Sequence, residues 1–233
     1  MQTRLFFISA ALISLLCPAC TAQTDVAASL YGAFNQSTSG NGTIQSPANS
    51  AGGLIEVRHI HNPLFGYEAT YSYNRANQGL SPSGAIAIPA SCPTSGCTVT
   101  FSTAAISSNA HEITGDWVVS LKAGSFRPFV LAGGGLLLNL PTGGTITTTA
   151  ITYVPNTGLS SETITTTAAV TSTSTKGVFV YGAGVDWALL PHIGLRLQYR
   201  GNLYQASSLA TAFSSTNAFT RTAEPMIGAY FRF

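Results

Sequence analysis

Between Ile193 and Tyr204 the side chains alternate one by one. Ile193, Leu195, Leu197, Tyr199 and Leu203 fall on one face of an extended chain, and Arg196, Gln198, Arg200 and Asn202 fall on the other. The same alternation runs to the carboxyl end, where Ile227, Ala229, Phe231 and Phe233 share a face and Glu224, Met226, Gly228, Tyr230 and Arg232 take the opposite one. Hydrophobic residues make up 45% of the chain and charged ones only 8%, yet the apolar residues are scattered singly and do not form long blocks. A strand built this way meets an apolar medium on one side and a polar interior on the other, which is how a strand sits between lipid and the lumen of a barrel.

Eight such segments can be traced: Val26 to Phe34, Gly53 to His61, Gly66 to Asn74, His111 to Leu121, Pro128 to Leu140, Val178 to Leu189, Ile193 to Tyr204, and a last one from Thr222. Short turns at Asn62-Pro63, Lys122 to Ser125 and Pro191-His192 follow the second, fourth and sixth segments; long polar loops follow the first, third, fifth and seventh. Segments of about 9 to 11 residues cross a bilayer when tilted. The expected fold is all-β: an eight-stranded antiparallel up-and-down transmembrane β-barrel. Its interior at this size is just wide enough for side chains to fill it. Period-two reading places Glu56, Arg58, Glu68, Glu112, Asp116, Asp186, Arg196, Arg200, Glu224 and Arg232 inside, as an interior charge network that plugs the lumen. A charge turned to lipid at mid-depth would cost about 2 to 4 kcal/mol for Lys or Arg.

Residues 1–22 read as a secretory signal peptide, with Arg4 ahead of the apolar run Leu5 to Leu16 and small residues from Cys17 to Ala22. The barrel domain then spans 23–233. Two processing routes stand: cleavage after Ala22, and lipidation at Cys20, for which Cys17 occupies a position where leucine is wanted. Cys92 and Cys97 remain in the mature chain and are expected to form a disulfide, since export places them in an oxidising compartment. A net charge of +2 provides no basic face for nucleic acid. No catalytic residue, cofactor or metal is assigned.

The chain resembles the small eight-stranded outer-membrane barrels of the outer-membrane protein A transmembrane-domain and opacity-protein type. The resemblance rests on the terminal GAYFRF and on HEITGDWVV, RPFVLAGGGLLL and YGAGVDWALLPHIGLRLQYRG, and it covers residues 23 to 233. Gly228, Phe231 and Phe233 look like the terminal assembly signal of such barrels, with Met226 standing where a polar residue is usual. The resemblance implies a monomer in the Gram-negative outer membrane, contacts with outer-membrane lipids and lipopolysaccharide, handling by the barrel assembly machinery, and outer loops that can reach a protein or host surface. Family members include surface adhesins and structural anchors, so fold does not fix function. No peptidoglycan-binding domain is expected after the last strand.

Other constellations weigh less. Gly182 and Gly184 lack a third glycine and a following helix, so they and Gly133 to Gly135 are read as thinning the wall and not as a nucleotide loop. His59 and His61 share a face at a spacing metals use, but their position is interfacial. Ser107, Ser108, His111 and Glu112 cluster near the outer rim, which keeps open the alternative of a lipid A-modifying barrel enzyme. The third outer loop contains TITTTA twice, at Thr145 to Ala150 and Thr163 to Ala168, around the turn-forming Val154 to Gly158. Threonine favours strands, so the fifth and sixth strands can continue as a projecting hairpin with free edges. The other reading is a disordered threonine-rich shield.

Overall fold

The computed structural model describes residues 23–62, 64–84, 92–93, 95–155 and 159–233. The signal segment 1–22, Pro63 of the first turn and residues 156–158 of the threonine-rich loop lie outside them. Among the described residues there are eleven strands: β1 Gln23–Asn35, β2 Thr38–Gly40, β3 Thr43–Pro47, β4 Ser50–Ile60, β5 Phe65–Pro82, β6 Cys97–Ser120, β7 Phe126–Val154, β8 Leu159–Ala168, β9 Ser174–Ala188, β10 Ile193–Gln205 and β11 Phe219–Arg232. Eight of them close a ring, β1-β4-β5-β6-β7-β9-β10-β11, with the last strand pairing antiparallel to the first.

Following cross-strand partners from Asp25 through Arg58, Glu68, Asp116, Gly133, Val180, Asn202 and Thr222 returns to β1 at Asn35, ten residues beyond the start. That stagger, with a rise of about 3.3 Å per residue and about 4.8 Å between strands, tilts the strands by about 40°. Alternation then sorts the faces. Leu30, Ile55, Ile113, Trp117, Val130, Phe179, Leu197 and Ile227 project outward and exposed, while Asp25, Glu56, Arg58, Glu68, Asp186, Arg196 and Arg200 are buried within. Aromatic contacts collect near both ends of the belt: Phe126 with Trp187 and Phe231 with Phe233 at the turn end, Tyr71 and Tyr73 with His111 toward the loops. Such girdles mark the two interfaces of a membrane barrel.

Bulky side chains fit because glycines face them across the ladder. Tyr31 stands opposite Gly52, Phe129 opposite Gly184, Tyr230 opposite Gly194 and Tyr181 opposite Gly201, and in each case a Cβ on the glycine would run into the ring. At the turn end, Asn62 Oδ1 accepts from the backbone N–H of Leu64 and Phe65, at 3.0 and 2.8 Å, and Gly124 takes a positive φ of 64° in the 121–125 turn.

Three strands are far longer than expected. β5, β6 and β7 run for 18, 24 and 29 residues, and their upper ends stand above the belt as a sheet. The loop after β1 is not irregular throughout: β2 and β3 form a hairpin, and β3 pairs with the top of β5. The TITTTA segments do pair, Thr145 with Ala168 through Val154 with Leu159. The sixth barrel strand does not itself continue, however. β8 ends at Ala168, β9 begins at Ser174, and β7 changes partner between them. The switch coincides with a β-bulge, where Ser107 faces Gly143 and Ser108 faces Pro141, leaving Thr142 unopposed. The extra residue bends and twists the strand away from the cylinder.

The β1–β11 ladder has one gap. Tyr31 pairs with Met226 and Phe34 with Ala223, but Gly32 and Ala33 are not paired with Pro225 and Glu224. Proline has no N–H to give, so a carbonyl at this seam goes without its ladder partner. Pro225→Val is expected to restore the pairing and raise stability by about 1 kcal/mol, one net hydrogen bond, read as a higher urea midpoint in lipid vesicles. An unchanged or lower midpoint would mean that the gap is relieved in another way.

Candidate functional site

Two regions concentrate polar chemistry: the barrel interior and the structure over its loop end. In the lower interior, Arg58 from β4 meets Glu68 of β5 at 2.6 Å and Asp186 of β9 at 3.3 Å, with its guanidinium 4.0 Å above the Phe129 ring. Arg196 from β10 binds Asp186 at 2.6 Å, Asp25 at 3.0 Å, and Glu56. These groups come from five strands and meet because inward positions on adjacent strands lie side by side. Asp25 lies in β1, one residue ahead of the expected start of the first strand at Val26. It shares the inward face of Ala27, Ser29 and Tyr31, and extending the alternation one residue upstream of Val26 would have found it.

Higher in the barrel a single guanidinium pairs with two carboxylates and has a third as its cross-strand neighbour. Arg200 lies 3.4 Å from Asp116 and 3.7 Å from Glu112, and it donates to Thr114 Oγ1 at 3.0 Å. Glu224 is its cross-strand neighbour, buried, and enters no ion pair among the described residues. Asn202 donates to Glu112 at 2.9 Å. Arg232 stands apart near the turn end, half-buried, 5.3 Å from the centre of the Tyr230 ring.

Above this layer lies a cavity of about 70 Å³ lined by hydroxyls and carboxamides, space for roughly five waters. Its roof is the segment between β10 and β11, which folds inward. Ser207 O accepts from Gln45 Nε2 at 3.2 Å and from Gln78 Nε2 at 3.0 Å, and the Leu209 N–H donates to Gln78 Oε1 at 3.0 Å. Leu209 and Ala210 then pack on Leu80, Ala104 and Ile106. A mouth covered in this way had no signal beyond a polar loop, because its contacts with β3, β5 and β6 span more than 100 residues of sequence.

The remaining candidates separate. His111 and Glu112 are consecutive in β6 and point to opposite faces: His111 bonds Tyr71 Oη at 2.9 Å on the outside, while Glu112 is buried inside. Ser108 is buried and donates to Ala76 O. The serine, histidine and acid therefore do not converge. His59 contacts Thr24 and Tyr67, while His61 is exposed in the turn. Cys92 and Cys97 form a disulfide in the second outer loop. Gly228 lies so close to Ser29 on β1 that a Cβ would overlap it, and Phe231 and Phe233 both face outward.

Outside the mouth, β8, β7 and the upper part of β6 make a three-stranded sheet. Described pairings end at Leu80 with Ala104 on the β5 side, and β8 pairs only with β7 among the described residues, so both edges lack a strand partner among those residues. The outward face of the sheet is almost uncharged: Glu162 is the sole acid on β8, beside a run of threonines.

A closed eight-strand antiparallel ring with an apolar belt outside and ionised groups within defines a small transmembrane β-barrel of the outer-membrane type. No family model matches the sequence, and no curated protein matches it. Solved structures similar to it are Ail, the attachment invasion locus protein of Yersinia pestis (13% identity, 91% of this chain and 99% of that chain, TM-score 0.44), Neisserial surface protein A (16%, 91% and 97%, TM-score 0.41) and the outer membrane protein OprG from Pseudomonas aeruginosa (13%, 91% and 96%, TM-score 0.45). The fold class stands on the ring closure and the sorted faces of this chain itself.

Proposed function

We propose that this protein is a monomeric barrel of the Gram-negative outer membrane that acts at the cell surface as an adhesin-like contact protein, not as a pore or an enzyme. The observation that carries the reading is the free edge of β8 on a sheet raised above the membrane belt. An open edge offers main-chain donors and acceptors to an extended segment of a partner, and that mode of recognition adds a strand to the sheet. The lumen supports the same reading, because Arg58, Arg196 and Arg200 are fully buried across it and leave no continuous polar passage to conduct solute. In this account the segment 1–22 directs export, Gly228, Phe231 and Phe233 are read by the assembly machinery, and the belt contacts outer-membrane lipids and lipopolysaccharide.

Deleting Thr145 to Ala168 removes β8 and its partner stretch of β7 but none of the barrel ring. The shortened protein is expected to keep its heat-modifiable gel migration and to lose binding of the expressing cells to host-cell or matrix-coated surfaces. Unchanged binding in a folded, surface-exposed deletion would remove the reading.

A further inference from the structure

We propose that the cavity under the 206–213 segment is a binding site for a hard divalent cation of the calcium class, held by Glu112, Glu224 and the side-chain oxygen of Asn202. Charge balance is the first argument. In the lower interior Arg58 and Arg196 face Asp25, Glu56, Glu68 and Asp186, with Arg127 and Arg232 half-buried toward the turn end. In the upper interior Arg200 forms the described ion pairs of Asp116 and Glu112, and Glu224 beside it forms none among the described residues. Lys176 points inward two strands from Glu112, through Leu137, but forms no ion pair among the described residues. The upper carboxylates are thus short of cationic partners, and a buried carboxylate without a partner is costly.

The second argument is independent of charge balance. Asn202 is 2% exposed, lines the cavity, and its Oδ1 accepts nothing, although its amide nitrogen is engaged with Glu112. Glu224 Oε2, also on the cavity wall in a side chain 5% exposed, is likewise without a hydrogen-bond partner. Two buried oxygens with free lone pairs, one amide and one carboxylate, belong to residues that line the same 70 Å³ cavity. A cation satisfies both.

Oxygen is the only donor type here, which selects hard ions over zinc or copper. Among the described residues no three His, Cys, Asp or Glu side chains are grouped for a metal, so waters in the 70 Å³ cavity must complete the shell. Calcium tolerates that irregular, partly hydrated coordination better than magnesium, and so few protein ligands imply an affinity of about 10⁻⁴ to 10⁻³ M. The segment holding Ser207 and Leu209 lies over the site, so occupancy ties that cover to the barrel charge network.

Tyr31 and Tyr204 line the same cavity, whereas Trp117 and Trp187 face outward, so a lanthanide bound there should be sensitised by tyrosine. The test uses the full barrel in neutral detergent free of lipopolysaccharide, stripped with EDTA and titrated with TbCl₃, then with CaCl₂. Expected are tyrosine-sensitised emission that calcium displaces, an apparent affinity at least tenfold weaker in Glu224→Gln, and no change in Glu162→Gln on exposed β8. Absence of emission in the native barrel, failure of calcium to displace it, or equal affinity in Glu224→Gln overturns the proposal. Should Glu224→Gln not assemble, Asn202→Asp decides with the opposite sign: a third carboxylate should tighten binding, and an unchanged or weaker affinity overturns it.

Discussion

Arg196→Met is expected to destabilise the barrel by about 3 to 5 kcal/mol, because it removes the one cation shared by Asp25, Glu56 and Asp186 and leaves those carboxylates buried. The loss should appear as a lower urea midpoint in lipid vesicles, followed by fluorescence of Trp117 and Trp187, which face the acyl chains when folded. The cost is mostly the penalty on the stranded anions and not the worth of the bonds themselves, since replacing a whole buried network by neutral groups is often near neutral. Adding Asp25→Asn and Glu56→Gln to Arg196→Met should therefore recover more than half of the loss. A triple variant no more stable than the single one would show that the guanidinium acts by filling space, not by charge.

Gly184→Val is expected to cost about 2 to 3 kcal/mol by overpacking. A Cβ at this position would meet the Phe129 ring at 2.5 Å and the Leu197 carbonyl at the same distance. Phe129 cannot move freely, because its face supports the Arg58 guanidinium at 4.0 Å, which in turn holds Glu68 and Asp186. A change on the wall is thus transmitted to the charge layer. The paired variant Gly184→Val with Phe129→Leu relieves the overlap and should recover part of the loss, as measured by the same urea midpoint. If the single substitution has no effect, the ring and the guanidinium are less tightly coupled than their separation indicates.

Much of this barrel was legible in the residues. Side chains two apart on a strand must share a face, so Arg196 and Arg200 could be assigned to the interior from Leu195, Leu197 and Tyr199 alone, and both arginines are fully buried. The four short-turn and long-loop hairpins were likewise visible, because Asn62, Gly124 and Pro191 punctuate one end only. Legibility failed where pairing is non-local. The stretch 97–107 read as loop, and Thr145 to Ala150 was matched only with Thr163 to Ala168, yet 97–107 pairs with 143–153 at eleven positions, because a polar strand above a membrane has no apolar face to betray it. The divergence of His111 from Glu112 was available from periodicity, but their closeness in sequence hid it.

What the sequence determined by itself is therefore the class of each position, greasy outside or ionised inside, since the period of a strand is a local property of the backbone. Only the tertiary structure decided the ten-residue stagger, the pairing of Asp116 and Glu112 with Arg200, and the inward fold of the segment after β10. These depend on which strands meet and in what register, and register is set by closing the ring, a condition that no single segment contains.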